Sequence, residues 1–251
     1  MKIWEELTIS DDFIFQLVMK NESICKNFLG KLFGFKIENL TYAPFTTLVQ
    51  KISAQGEDGK IYDVIAKIPR DIDDAVKLAQ YYESVIFASA DVVNIHTLEG
   101  VNDSRVILIC RKDPFGENLQ RYSLEYRCNE NPELKFDFAQ EIFLYTKGAK
   151  DNVDADIKNF LNYLEGKPAV GDFVKQIDDE VNLIKKVKHL EFSYIVYLQE
   201  ITQAKREREI EITKNLLSEK ASLDLVAKVT GWTKEKILEL AKAEGIATEK
   251  I

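Results

Sequence analysis

Apolar residues near the N-terminus recur at mostly helical spacing: Phe13, Leu17, Val18, Ile24, Phe28, Leu29 and Leu32 follow the acceptor-rich Ser10-Asp11-Asp12. That spacing, with side chains suited to capping, predicts two short amphipathic helices over residues 10–34, joined near Asn21. After Gly34 the period changes. Phe35 to Tyr42 alternates, and two more extended runs, Leu48 to Ala54 and Lys60 to Ile68, flank the turn Gly56-Glu57-Asp58-Gly59. Strand, Asp-Gly turn and strand together predict a hairpin. Pro69 closes it, and Asp71, Asp73 and Asp74 sit where a helix begins, at the end whose dipole favours carboxylates. That helix runs to about Ala90 and carries Leu78, Tyr81, Tyr82, Val85 and Ile86 on one stripe.

The continuous apolar run Val106-Ile107-Leu108-Ile109-Cys110 predicts a strand buried on both faces. Asp113-Pro114-Phe115-Gly116 reads as a turn, Arg121 to Arg127 as an alternating strand, and Glu141 to Tyr145 as another short strand. From Val153 onward the pattern is helical: Ile157, Phe160, Leu161 and Leu164, then Phe173 to Lys188, then a long helix from about Leu190 to Leu217. The last unit, Ser222 to Leu240, predicts two short helices around Gly231 with Ser222 and Thr233 as caps, the outline of a helix-turn-helix. Its second helix alternates Lys and Glu and offers no Arg, Asn or Gln for base edges, so a packing hairpin fits equally. The expected organisation is an α/β core over 1–150, a helical extension over 151–204 and a helical tail over 205–251.

Composition narrows the function classes. With 251 residues, 45% hydrophobic and 30% charged, the chain is an ordinary globular one, with room for a sizeable core. Its 34 Lys and Arg against 42 Asp and Glu give a charge of −8, so no sequence-wide positive field draws phosphate backbones or anionic lipid. Cys25, Cys110 and Cys128 lack Cys-x-x-Cys spacing, which argues against a zinc site or a disulfide framework. Glu5, Glu6, Asp11 and Asp12 interrupt any leader-like apolar stretch, and no window is apolar enough to cross a membrane. A cytoplasmic protein without a membrane partner is expected. His96 and His189 are isolated, and no nucleophile elbow, phosphate-binding loop or His-Glu-x-x-His occurs.

A hairpin leading into a helix can converge carboxylates on a divalent ion, with a Lys or Gln beside the attacking water. Several stretches carry a resemblance to one family built this way. They are Leu7 to Phe15, Asp58-Gly59-Lys60-Ile61-Tyr62-Asp63-Val64, Tyr81-Tyr82-Glu83-Ser84, Val106 to Gly116, Glu125-Tyr126-Arg127-Cys128, and Glu141 to Gly148. In this order, and with the helical tail, the chain resembles the recombination-promoting nuclease and transposase (Rpn) family of the PD-(D/E)XK nuclease superfamily. The resemblance spans nearly the whole chain. It implies a mixed central sheet flanked by helices, a magnesium-dependent DNA endonuclease by descent, and DNA as the partner.

The resemblance also implies an Asp on the first hairpin strand and Glu-x-Gln or Glu-x-Lys on the second. Here Gln50 or Lys51 stands at the first position and Ile65 replaces the Glu, while Lys67 matches the last. Hard divalent ions need oxygen ligands, so both degenerate positions remove what magnesium requires. Asp63, Ile65 and Lys67 share one strand face, and Asp63 is the candidate displaced carboxylate, but it lies about 6–7 Å early. An active centre would bring two carboxylates to the Lys67 amine; a dead one would fill that space with Lys51 and Ile65. The expectation is a catalytically impaired copy. The alternative is a non-catalytic protein that binds DNA, a protein partner or a second copy through its helical C-terminal region, with Thr233, Lys234 and Lys236 as candidate contacts.

Overall fold

The computed structural model describes residues 2–43, 49–69, 73–90, 96 and 100–246. Expectations resting on Leu48 and Asp71 lie outside these residues. A short 3-10 turn, Trp4–Glu6, precedes α1 (Asp12–Val18) and α2 (Glu22–Phe33). Asn21 separates the two helices because its Oδ1 accepts the Ile24 N–H and so caps α2. Gly34 ends α2 at φ +81°, a left-handed turn that suits glycine.

Three strands follow, β1 (Ile37–Tyr42), β2 (Ile52–Gly56) and β3 (Ile61–Lys67), then α3 (Ala75–Ala88), which Asp74 caps through the Lys77 N–H at 3.0 Å. β4 (Asp103–Cys110), β5 (Arg121–Arg127) and β6 (Lys135–Tyr145) complete a six-stranded sheet in the order β1-β2-β3-β4-β6-β5. β3, β4 and β6 run parallel, and the remaining pairs are antiparallel. The fold is therefore mixed α/β, as the pattern predicts. β6 begins six residues before the expected strand, because its N-terminal half is exposed and carries no apolar run to mark it.

Both faces of the sheet are packed. On one, Phe15, Phe28, Phe160 and Phe173 form a chain of ring contacts 5.5–6.5 Å apart, with α4 (Ala155–Leu164) and α5 (Asp172–Lys185) supplying the last two rings. On the other, α3 lays Ala79 and Ile86 over Ile65, Val106, Leu108, Cys110 and Phe143. Tyr81, expected on the buried stripe, is 57% exposed. The chain divides into two compact units, residues 1–192 and 193–251, and the division falls within α6 (Lys188–Ser218).

In the second unit α7 (Leu223–Thr230) and α8 (Lys234–Ala243) close a small core of Leu217, Val226, Ile237 and Ala241. Trp232 Nε1 donates to Glu209 at 2.9 Å and holds the hairpin against α6. No helix among the described residues is long and apolar enough to cross a membrane.

Phe160 is fully buried and touches three rings. Phe160→Ala is expected to lower the stability of the first unit by about 3–5 kcal/mol, measured by urea unfolding followed by circular dichroism.

Candidate functional site

Three of the residues singled out in the sequence, Asp63, Ile65 and Lys67, lie on β3, whose last six residues, Tyr62 to Lys67, are all buried. Asp63 is 2% exposed. Ser53 Oγ donates to its Oδ1 at 2.5 Å, while Lys51 Nζ and Asn102 Nδ2 approach Oδ2 at 3.4 and 3.3 Å. Lys51 also donates to the Ser89 carbonyl at 3.3 Å, so its ammonium is fixed between the sheet and the end of α3. Ile65 is fully buried in the α3-side core, and the register that pairs Ile52 with Val64 places Lys51 opposite it. Gln50 is 3% exposed, and no described group bonds its buried Oε1.

Lys67 points to a different partner. Its Nζ meets Asp12 Oδ2, on the first residue of α1, at 2.5 Å. Asp12 Oδ1 accepts the Ile68 N–H at 2.9 Å, and Gln16 Nε2 donates to the Ala66 carbonyl at 2.6 Å. α1 is thereby clamped to the end of β3. The Cα atoms of Asp63 and Lys67 lie roughly 13 Å apart along the strand, at about 3.3 Å per residue.

This donor set does not fit a hard divalent ion. Such an ion needs several free oxygens within about 2–2.6 Å. Asp12 already has both oxygens engaged, Asp63 is neutralised by an ammonium, and the carboxylate expected between them is an isoleucine. Among the described residues no group of three His, Cys, Asp or Glu is placed to hold a metal. Burial pushes the Cys25 and Cys110 thiols up to about 12, so neither supplies a thiolate near neutrality.

Beside the clamp, a cleft of about 970 Å³ opens at the C-terminal ends of β3, β4 and β6, where open α/β sheets commonly bind ligands. Lys2, Arg111, Lys112 and Lys147 line it together with Glu6, Asp11, Asp73, Asp74 and Asp113. Lys2 pairs with Asp11 at 2.7 Å, Arg111 donates to the Ser10 carbonyl at 2.9 Å, and Lys147 lies 3.7 Å from Glu165. The balance of signs gives no basic funnel for a phosphate backbone.

The candidate contacts of the tail are occupied locally. Thr233 Oγ1 caps α8, Lys234 pairs with Asp224 at 2.6 Å, and the Lys236 ammonium sits over the Trp232 ring.

Two chemically informative pairings escape the sequence reading. One is Asp12 with Lys67, because a helix start accounts for Asp12 by itself. The other is Glu141 on β6, 8% exposed, which faces Glu83 of α3. Burial, and then the Glu83 charge, raise the Glu141 carboxyl to about 7. No family model, curated protein or solved structure matches this chain.

A carboxyl raised in the fold holds its proton where the unfolded chain, titrating near 4.3, has lost it. Stability therefore falls as pH rises from about 4.3 to about 7 and is level above that. Glu141→Gln is expected to flatten this slope, gaining about 1–2 kcal/mol over the native chain between pH 4.5 and 8 in denaturant titrations, after allowance for solvent screening of a partly accessible carboxyl. Parallel pH profiles for the two proteins would show that Glu141 does not titrate in this range.

Proposed function

We propose that the first unit is a PD-(D/E)XK nuclease-like domain of the Rpn kind whose metal centre has been replaced by internal ion pairs, leaving a protein that binds a partner and does not cut DNA. The observation that carries this reading is Lys51 at 3.4 Å from the buried Asp63, with Ile65 fully buried opposite it. An ammonium and an aliphatic side chain stand where an active relative would need two carboxylates. The element order supports the ancestry: helices, a hairpin carrying the Lys, a crossover helix and a central parallel strand follow one another as the resemblance implies.

A protein partner is favoured over DNA. The chain carries −8, the cleft beside Lys67 mixes both signs, and each of the three candidate contacts at the tail already has a local role. Binding of DNA through α8 would first have to release Lys234 from Asp224 and Lys236 from Trp232.

Supercoiled plasmid incubated with the protein and magnesium, manganese or calcium is expected to stay intact. Metal-dependent nicking that disappears in both Lys67→Ala and Lys67→Gln would overturn the proposal. The second variant keeps a donor for Asp12, so its loss of activity would not reflect collapse of the clamp. Nicking that survives both substitutions would come from a contaminant or another site.

A further inference from the structure

The β5–β6 end of the sheet carries a surface that takes no part in the ion pairs around β3. Among the described residues β5 is an edge strand, bonded to β6 on one side. Edge strands present unpaired N–H and C=O groups, a template for another extended chain. The Gln120 carbonyl accepts the Tyr145 N–H, so alternation turns Tyr122 and Leu124 toward β6 and Arg121, Ser123 and Glu125 outward. Only the first outward residue is covered. Asn152 accepts from the Arg121 N–H at 3.0 Å and donates to its carbonyl at 2.7 Å, as the backbone of a neighbouring strand would. The outward backbone of Ser123 and Glu125 has no such cover among the described residues.

Beside this open edge lies an exposed apolar row. Leu124, Tyr126, Phe136 and Phe138 are 37–51% exposed, and the Tyr126 and Phe138 rings stand 5.1 Å apart. Next to Leu124 in register is Glu141. Glu141 is 8% exposed as a residue, and its carboxyl receives no hydrogen bond among the described residues. The titratable groups facing it are Glu83 from α3 and Tyr126 from β5; β4 contributes the Ser104 hydroxyl nearby. Glu83 accepts from Tyr126 OH at 3.2 Å and from Ser104 Oγ at 3.4 Å, and no described Lys or Arg pairs with either carboxylate. A sheet surface with a free edge, an aromatic row and two unbalanced carboxyls is complementary to one kind of visitor: an extended chain bearing a cation.

We propose that the β5 edge docks an extended segment of a partner protein in which a lysine or arginine packs its stem along Tyr126, Phe136 and Phe138 and brings its charge to Glu83 and Glu141. Main-chain bonds to Ser123 and Glu125 supply sequence-independent affinity, and the cation supplies selection. The aromatic faces attract the charged head, and its methylenes cover apolar surface. The same carboxyls repel an acidic or phosphorylated segment. This surface is separate from the β3 ion pairs, so the inference stands whether or not the chain cuts DNA.

Fluorescence anisotropy of the full chain tests it, with a labelled nine-residue peptide of alternating threonine and valine carrying lysine at its centre. Saturable binding is expected, weakened at least about tenfold when glutamine replaces the lysine and absent when glutamate does. The paired substitutions Glu83→Gln and Glu141→Gln are expected to cost the lysine peptide about tenfold and leave the glutamine peptide unchanged. Ser123→Pro removes an outward N–H at an edge that tolerates proline, and is expected to abolish binding of both peptides without altering the circular dichroism spectrum. Three outcomes overturn the proposal. These are no binding of the lysine peptide, equal binding of the lysine and glutamate peptides, or a dimer in sedimentation velocity that Ser123→Pro dissolves, which would make a second copy the occupant.

Discussion

β3 takes two charged side chains out of water within five residues, and much of the first unit is arranged around that fact. Tyr62 to Lys67 are all buried, so Asp63 and Lys67 have little solvent to compensate them. A charge in that position persists only when it is paired and hydrogen-bonded. Asp63 draws Ser53 from β2, Lys51 from just before it and Asn102 from the approach to β4. Lys67 draws Asp12 from α1, and Asp12 in turn grips the Ile68 N–H. These bonds decide where α1 sits against the sheet, and α1 carries Phe15 into the aromatic core. Breaking a buried pair by deleting one partner typically costs about 3–5 kcal/mol, so polar residues contribute to the placement of this apolar core.

Most elements were legible because their hydrophobic period survives in one dimension. The buried run ending at Cys110, the hairpin turn at Asp58-Gly59, the joint near Asn21 and the caps Ser222 and Thr233 are local signals, and local signals fix local structure. The N-terminal half of β6 was not legible, since Lys135 to Phe138 project into solvent and carry no core-facing run. Tyr81 reads as core by spacing alone, yet α3 reaches the sheet through Ala79 and Ile86 and leaves that tyrosine outside. Pairings between distant residues were the least accessible. Asp12 and Lys67 are 55 residues apart, and the facing of Glu83 and Glu141 depends on β6 entering the sheet between β4 and β5.

The charge of the chain looks different once its positions are known. A surplus of eight negative charges says little about any one place. In the cleft beside Lys67 opposite charges are interleaved and partly satisfied within the protein. At the β5–β6 end two carboxyls stand together with no described cation pairing with either, and burial and the neighbouring charge raise one of them to about 7. The field that a partner meets is thus set by local pairing more than by the total.

The proposed loss of the metal is also a change in how the strand is neutralised. In a metal-dependent site a bound cation is the largest local charge, and the carboxylates around it are stable because it is there. If only the carboxylates were removed, the remaining Asp63 would be a buried anion without compensation. Lys51 supplies that compensation from within the chain, at 3.4 Å, and Ile65 turns the remaining space into core. On that reading the two side chains would act together: the lysine compensates Asp63 without an ion, and a carboxylate placed at the fully buried position of Ile65 would need a partner that Ala79, Ile86 and Val106 do not offer.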